Sequence, residues 1–252
     1  MPGLDKLLRG VLKYRATLRP KMVKDFQRIR DNPEPKAVMV SCIDSRIIMT
    51  RLLQSSVGDM LLVRNAGNVV PHSDTLRENG VSTEAAALEL GCVVNNIRHV
   101  VVCGHSDCKA MTGLFAMRDT VEETGGSPLT QWVKTHGLAT VRKYRELEAA
   151  GGVGPITFEA ESTNRRFTAF IDKENQFAPV DKFSQVNTLQ QLENIVSHEF
   201  IQERVVSDKV RLSAMWFDIY TGDFYMFSRE RETFVEVTNS NYAHLVADAE
   251  CW

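Results

Sequence analysis

Short apolar runs alternate with amphipathic stretches along most of this chain. AVMVSC (37–42), DMLLVR (59–64) and HVVVCG (99–104) are brief, nearly continuous apolar runs, the pattern of buried strands. Between them, SRIIMTRLL has the pattern of a helix. STEAAALELGCVV (82–94) is a stronger one, opening on Ser82 as N-cap before a run of strong helix formers. CKAMTGLFAM begins the next helix. Strands alternating with helices predict an α/β domain with a mostly parallel sheet. Upstream, helical patterning runs from position 4 to about 30, interrupted by Pro20 and ended by DNPEP, because proline cannot continue a helix. Downstream, a helix is expected between Pro128 and Gly151 and another near 187–202. Two strands are expected around the TGD turn within 210–229. The stretch 152–180 has no clear period and reads as an excursion over the surface. No repeat, low-complexity tract or linker divides the chain. A single domain over 1–252 is therefore expected, with a helical arm at 1–32 and an α/β core with a C-terminal extension at 33–252.

Composition narrows the class. At 252 residues, 43% hydrophobic and 25% charged, the chain has the balance of a soluble globular protein. A net charge of −2 gives no reason to expect a nucleic-acid partner. No apolar run approaches the roughly 18–20 residues that span a bilayer, so no membrane partner is expected. The five cysteines, Cys42, Cys92, Cys103, Cys108 and Cys251, are odd in number and scattered, which suits a reducing compartment with thiols available as ligands. The first 24 residues hold seven bases against one acid, Asp5, with leucines at helical spacing. Such a basic amphipathic helix serves as an arm packing on a neighbouring subunit or as a mitochondrial targeting segment. The expected location is mitochondrial, otherwise cytoplasmic.

The candidate chemistry lies in CGHSDC, where His105 and Cys108 follow a strand. In a parallel sheet, functional groups collect at the carboxyl ends of strands. The first strand ends at SCIDSR, so adjacent strands would bring Cys42 to His105 and Cys108 as a third ligand. Two thiolates and an imidazole suit zinc better than magnesium or calcium. Cys92 and Cys103 read instead as buried, inert thiols. Asp44 and Arg46, two apart in a turn, can pair so that the carboxylate stays ionised and acts only as an acceptor towards a donor at an open metal position. The same carboxylate could instead bind the metal and close the site. RNAGN suggests a loop at Asn65 and Gly67 whose backbone comes close to something. His72, His99, His136, His198 and His244 have no ligand-like spacing and read as structural or surface residues.

Together, CIDSR, VRNAGN and CGHSDCKA closely resemble the signature of the β-class carbonic anhydrases over 37–114, with looser similarity out to the last strands. The resemblance implies a zinc enzyme interconverting carbon dioxide and bicarbonate, assembled as a homodimer or tetramer. It implies a four-stranded parallel sheet extended by an additional strand, flanked by helices, with N-terminal helices embracing the partner subunit. It assigns one zinc ion per chain to Cys42, His105 and Cys108, and a hydroxyl-orienting dyad to Asp44 and Arg46. Gly104 lies in the motif beside His105. Met39 stands where one subclass carries a tryptophan, which favours the subclass with an open fourth position. Leu61 and Leu90 stand where plant-type members carry aromatic pocket residues; with Val63, Gly67 and Gly104 they are expected to wall the substrate pocket. Two rival readings are a zinc-stabilised protein that only binds bicarbonate, and a hydrolase of another small heterocumulene such as carbon disulfide.

Overall fold

The computed structural model describes residues 2–76, 80–123, 125–160 and 165–250; Cys251 lies outside them. Three strands fall where the apolar runs predict: β1 (Ala37–Cys42), β2 (Met60–Asn65) and β3 (His99–His105). Their side chains alternate between the two faces of the sheet. Val38, Val40, Val100 and Val102 point into the main core, while Met39 and Cys103 enter a smaller cluster on the other side. Burial on both faces of β1 is why that strand is apolar nearly throughout instead of alternating with polar residues.

With β6 (Arg211–Phe217) they form a parallel set in the order β2-β1-β3-β6. Two antiparallel strands then extend the sheet, β7 (Phe224–Ser228) and β8 (Thr233–Glu236). The extension is thus a two-strand meander, where a single strand was expected. The short β8, with its half-buried side chains, leaves little apolar signal in the sequence.

Helices cover the main core: α4 (Thr83–Leu88), α5 (Lys109–Ala116), α6 (Pro128–Ala149), α7 (Pro179–Val196) and α8 (Glu199–Val206). Ser82 caps α4, accepting the Ala85 N–H at 3.0 Å. A π-helical turn over Glu89–Val94 then continues α4. On the opposite face Met49 of the one-turn α3 (Met49–Leu52) joins the smaller cluster, and Leu62 of β2 stays exposed. At the N-terminus α1 (Pro2–Thr17) and α2 (Arg19–Asp31) break at Leu18, with Pro20 in the first turn of α2 where its missing N–H costs nothing. Leu4, Leu7, Leu8, Val11 and Leu12 of α1 all face solvent in the single chain.

The stretch 152–180 is not a surface excursion. It contains an antiparallel hairpin, β4 (Ile156–Ala160) and β5 (Arg165–Ala169), whose Ile156, Phe158 and Ala169 join the main core. Helix α7 begins well before position 187 and is buried nearly all round, although Asp181, Lys182, Ser184, Gln185, Asn187, Thr188, Gln190, Gln191 and Asn194 lie along it. A helix with polar residues on its buried side has no apolar stripe to recognise. The C-terminal α9 (Tyr242–Glu250) packs beside β6 and β7. No helix among the described residues is long and apolar enough to cross a membrane.

Candidate metal centre

Parallel pairing places the carboxyl ends of β1 and β3 side by side, with Ser41 opposite Cys103. The next residues are therefore brought together: Cys42 ends β1, His105 ends β3, and Cys108 caps the start of α5. Their ligand atoms all lie within 4.8 Å of one another and all three residues are buried. The two thiols stand 3.9 Å apart.

The proton positions follow from the partners. His105 Nδ1 is 2.7 Å from the Ser106 carbonyl oxygen, which can only accept, so Nδ1 carries the hydrogen and Nε2 presents a lone pair. That Nε2 is buried and closes no hydrogen bond among the described residues. The thiols cannot both ionise easily. Hydrogen bonding to Cys108 draws Cys42 well below its ordinary value, against the opposing effect of burial, while the backbone N–H groups of Asp44 and Gly67 also favour its thiolate. Cys108 is pushed up by its bond to Cys42 and by burial. One proton is thus shared where two negative sulfurs would repel. A divalent soft or borderline cation removes that conflict and occupies the bare nitrogen; the donor set fits zinc.

Cys103 and Cys92 behave otherwise. Burial raises them to about 12 and about 11, so both are inert thiols, and neither belongs to the cluster.

Asp44 stands outside the group of converging ligand atoms and is committed to Arg46. The Arg46 Nη2 and Nε donate to the two carboxylate oxygens at 2.7 and 3.0 Å, and the Arg46 backbone N–H donates at 2.9 Å. The guanidinium bond is the main reason Asp44 is held down to about 2. Arg64, on β2, fixes the same turn from beneath by donating to the carbonyls of Cys42 and Asp44 at 3.0 and 2.8 Å.

Gly67 has φ +87°, and a Cβ there would lie 2.7 Å from Met111 Cε, so its loop can pass close to Cys42 only as glycine. Side chains hold this 65–71 loop at many of its backbone groups. Asn65 bonds both the N–H and the carbonyl of Val69, and Trp132 donates to the Ala66 carbonyl. From α7, Asn187 donates to the Gly67 carbonyl, while Gln191 and Asn194 serve the N–H and carbonyl of Val70. His198 reaches the Pro71 carbonyl at 3.1 Å, and Ser184 donates to the His105 carbonyl at 2.8 Å. His198 is therefore a structural histidine, as its lack of ligand spacing suggested. The α7 residues escaped the sequence reading because amides scattered on a helix form no motif.

The expected pocket wall needs correction. Leu61 pairs with Val38, four residues before Cys42, which places it about 13 Å along the strand from the cluster. Leu90 lies on the π-helical turn and is 51% exposed. Neither faces the ligands of its own chain. Val63 is a core residue, buried on β2 opposite Val40. Gly104 lines no pocket either: a Cβ there would collide with Thr188 Oγ1 and crowd Trp216, so the glycine lets α7 pack on β3.

This assembly of sheet and strand-end ligands is a known architecture. The family model described as carbonic anhydrase matches residues 37–224, and the chain belongs to that family. Within it the chain is of the β class. It is 43% identical over 250 residues to beta carbonic anhydrase 1 of Caenorhabditis elegans, covering 97% of this chain and 92% of that protein. It is 39% identical to beta carbonic anhydrase 1 of Caenorhabditis briggsae, covering 98% and 93%. The fold is shared with the β-carbonic anhydrase CcaA, at TM-score 0.74 and 24% identity over 95% of this chain and 94% of that one. It is also shared with the Coccomyxa β-carbonic anhydrase, at TM-score 0.60 and 20% identity over 97% of each.

Proposed function

We propose that the protein hydrates carbon dioxide reversibly to bicarbonate and a proton, using one zinc ion held by Cys42 Sγ, His105 Nε2 and Cys108 Sγ. The observation that carries this reading is the division of labour at the end of β1. Cys42 joins the ligand cluster while Asp44, two residues on, is held ionised and apart from it by Arg46. A purely structural zinc site closes with a fourth protein ligand and has no use for such a pair. When bound, the ion supplies Lewis acidity, which brings the ionisation of water towards neutral pH.

The chain's own residues do the rest. Asp44, held ionised, would accept a hydrogen bond from a hydroxyl donor beside the ligand cluster and so orient it towards the substrate. Arg46 keeps Asp44 in that orientation and keeps it off the metal. The Gly67 N–H supports the Cys42 sulfur as an anion. Assembly as a homodimer or tetramer is supported by the exposed leucine stripe of α1 and by the thinly covered sheet face around Leu62. The basic α1 also supports mitochondrial targeting, and a reporter fused behind residues 1–24 that stays in the cytosol would count against it.

Stopped-flow hydration with metal analysis tests the activity. Purified protein should carry one zinc per chain and catalyse hydration. Arg46→Ala should keep its zinc and lose about 10- to 100-fold in kcat, as loss of an outer-shell partner typically does. Asp44→Asn should keep zinc and some residual turnover, because an amide cannot close the site as an anion. Full zinc occupancy without hydration would overturn the reading, as would near-normal turnover in Arg46→Ala.

A further inference from the structure

Asp107 sits between two of the ligands, in the turn from His105 to Cys108, and its contacts reach well beyond that turn. Its Oδ2 accepts from Arg46 Nη1 at 2.8 Å, and its carbonyl oxygen accepts from Arg46 Nη2 at 3.1 Å. Its Oδ1 accepts from Lys109 Nζ at 2.9 Å. Its own N–H donates to Oδ1 of the buried Asp181, at 2.9 Å, from α7. The backbone is held at φ +51°, a left-handed conformation that aspartate tolerates better than most residues.

The result is a run of four alternating charges, Asp44, Arg46, Asp107 and Lys109, joined at 2.7, 2.8 and 2.9 Å. It crosses from the loop after β1 to the loop after β3. The geometry matters because Arg46 is a long side chain, 42% exposed. Fixing so long and partly exposed a side chain on a single carboxylate costs it side-chain entropy. A second carboxylate on a separate element removes that freedom. The guanidinium spans both carboxylates, with Nε and Nη2 on Asp44 and Nη1 on Asp107.

We propose that Asp107 is a positioning residue, setting the orientation of Asp44 through Arg46 and tying the dyad to the ligand-bearing loop. For its kinetic consequence this rests on the carbonic anhydrase reading above; the placement of the guanidinium does not depend on that reading.

The test uses Asp107→Gly, which removes the carboxylate while accepting the left-handed backbone, and Asp107→Asn, which keeps the acceptor and the turn. Three measurements decide it. In metal-free protein, hydrogen exchange at Arg46 Nε–H, followed by NMR, should quicken roughly three- to tenfold in Asp107→Gly and less in Asp107→Asn, the range a partly exposed ion pair supplies. In zinc-loaded protein, kcat should fall by the same roughly three- to tenfold with KM and zinc content unchanged. In the Arg46→Ala background, adding Asp107→Gly should cost less than about twofold, because a residue acting only through Arg46 has nothing left to act on. Unchanged exchange would overturn the proposal. So would loss of zinc from Asp107→Gly, or a full kcat loss repeated in the Arg46→Ala background. A wild-type protein with zinc but no hydration would fail the catalytic reading, while the exchange measurement would still decide the positioning role.

Discussion

Two buried polar regions of this protein use their side chains in opposite ways. Along α7, Ser184, Asn187, Gln191 and Asn194 are spent on backbone groups of the 65–71 loop and of His105. At the ends of β1 and β3, His105 Nε2 closes no hydrogen bond and two thiols share a proton between them. A buried polar group normally finds a partner, because leaving it bare costs most of its lost hydration. On α7 the partner belongs to the chain, so the helix is scaffold. At the strand ends the partner is missing among the described residues, so the cluster could seat a ligand. Gln185, whose amide closes no hydrogen bond among the described residues, and Gln190 Oε1 are the exceptions on α7, and nothing in their surroundings explains them.

The largest expected effect breaks the seat and spares the scaffold. Cys42→Ser should lose metal affinity by several orders of magnitude, since structural zinc binding through thiolates amounts to ~10–16 kcal/mol. Cys103→Ser, in the same sheet, should retain one zinc per chain. Metal analysis after dialysis checks both, and a Cys103→Ser protein stripped of zinc beside a Cys42→Ser protein that keeps it would reverse the comparison.

Next comes a change in the scaffold that leaves the seat intact. Asn187→Ala removes the partners of the Gly67 carbonyl and of Thr140 Oγ1, and one of the two acceptors of Gln191 Nε2, all buried. The expected cost is about 3 kcal/mol, or a fall of about 6–12 °C in Tm, with zinc retained. An unchanged melting temperature would show that the helix does not hold the loop.

The smallest effect lies where the two regions meet, at Asp181. Burial raises this carboxyl above its ordinary 3.8. A raised acid contributes stability that is present below its unfolded pKa and is lost as pH rises through the folded one. At pH 7 its ionisation therefore costs stability. Asp181→Asn keeps an oxygen for the Asp107 N–H without that charge. It should melt about 1–3 °C higher than wild type at pH 7, with the difference gone near pH 4. A variant less stable than wild type at pH 7 would mean that the ionised carboxylate is itself favourable.

Much of this was visible before folding. β1, β2 and β3 are apolar runs of strand length, and Ser82 announces α4. Cys42, His105 and Cys108 have residue types that few roles other than metal binding would group at strand ends. Asp107 could have been noticed as an acid lodged between two ligands, but its partner Arg46 lies 61 positions away. The hairpin β4–β5 and the true start of α7 were missed for a common reason. Phe158 and the α7 amides answer to neighbours distant in sequence, and periodicity reports only a segment's own burial.

By itself, then, the sequence determined the kind of chemistry and the strands that bear it, because ligand type and local apolar runs are properties of a few adjacent residues. Tertiary structure alone decided what those residues face. Parallel register set Cys42 beside the end of β3 and put Leu61 a strand's length away from it. The fold also closed Arg46 between two carboxylates and turned a polar helix inward onto a loop. Register, burial and hydrogen-bond partners are relations between distant segments, and they exist only once the sheet has formed.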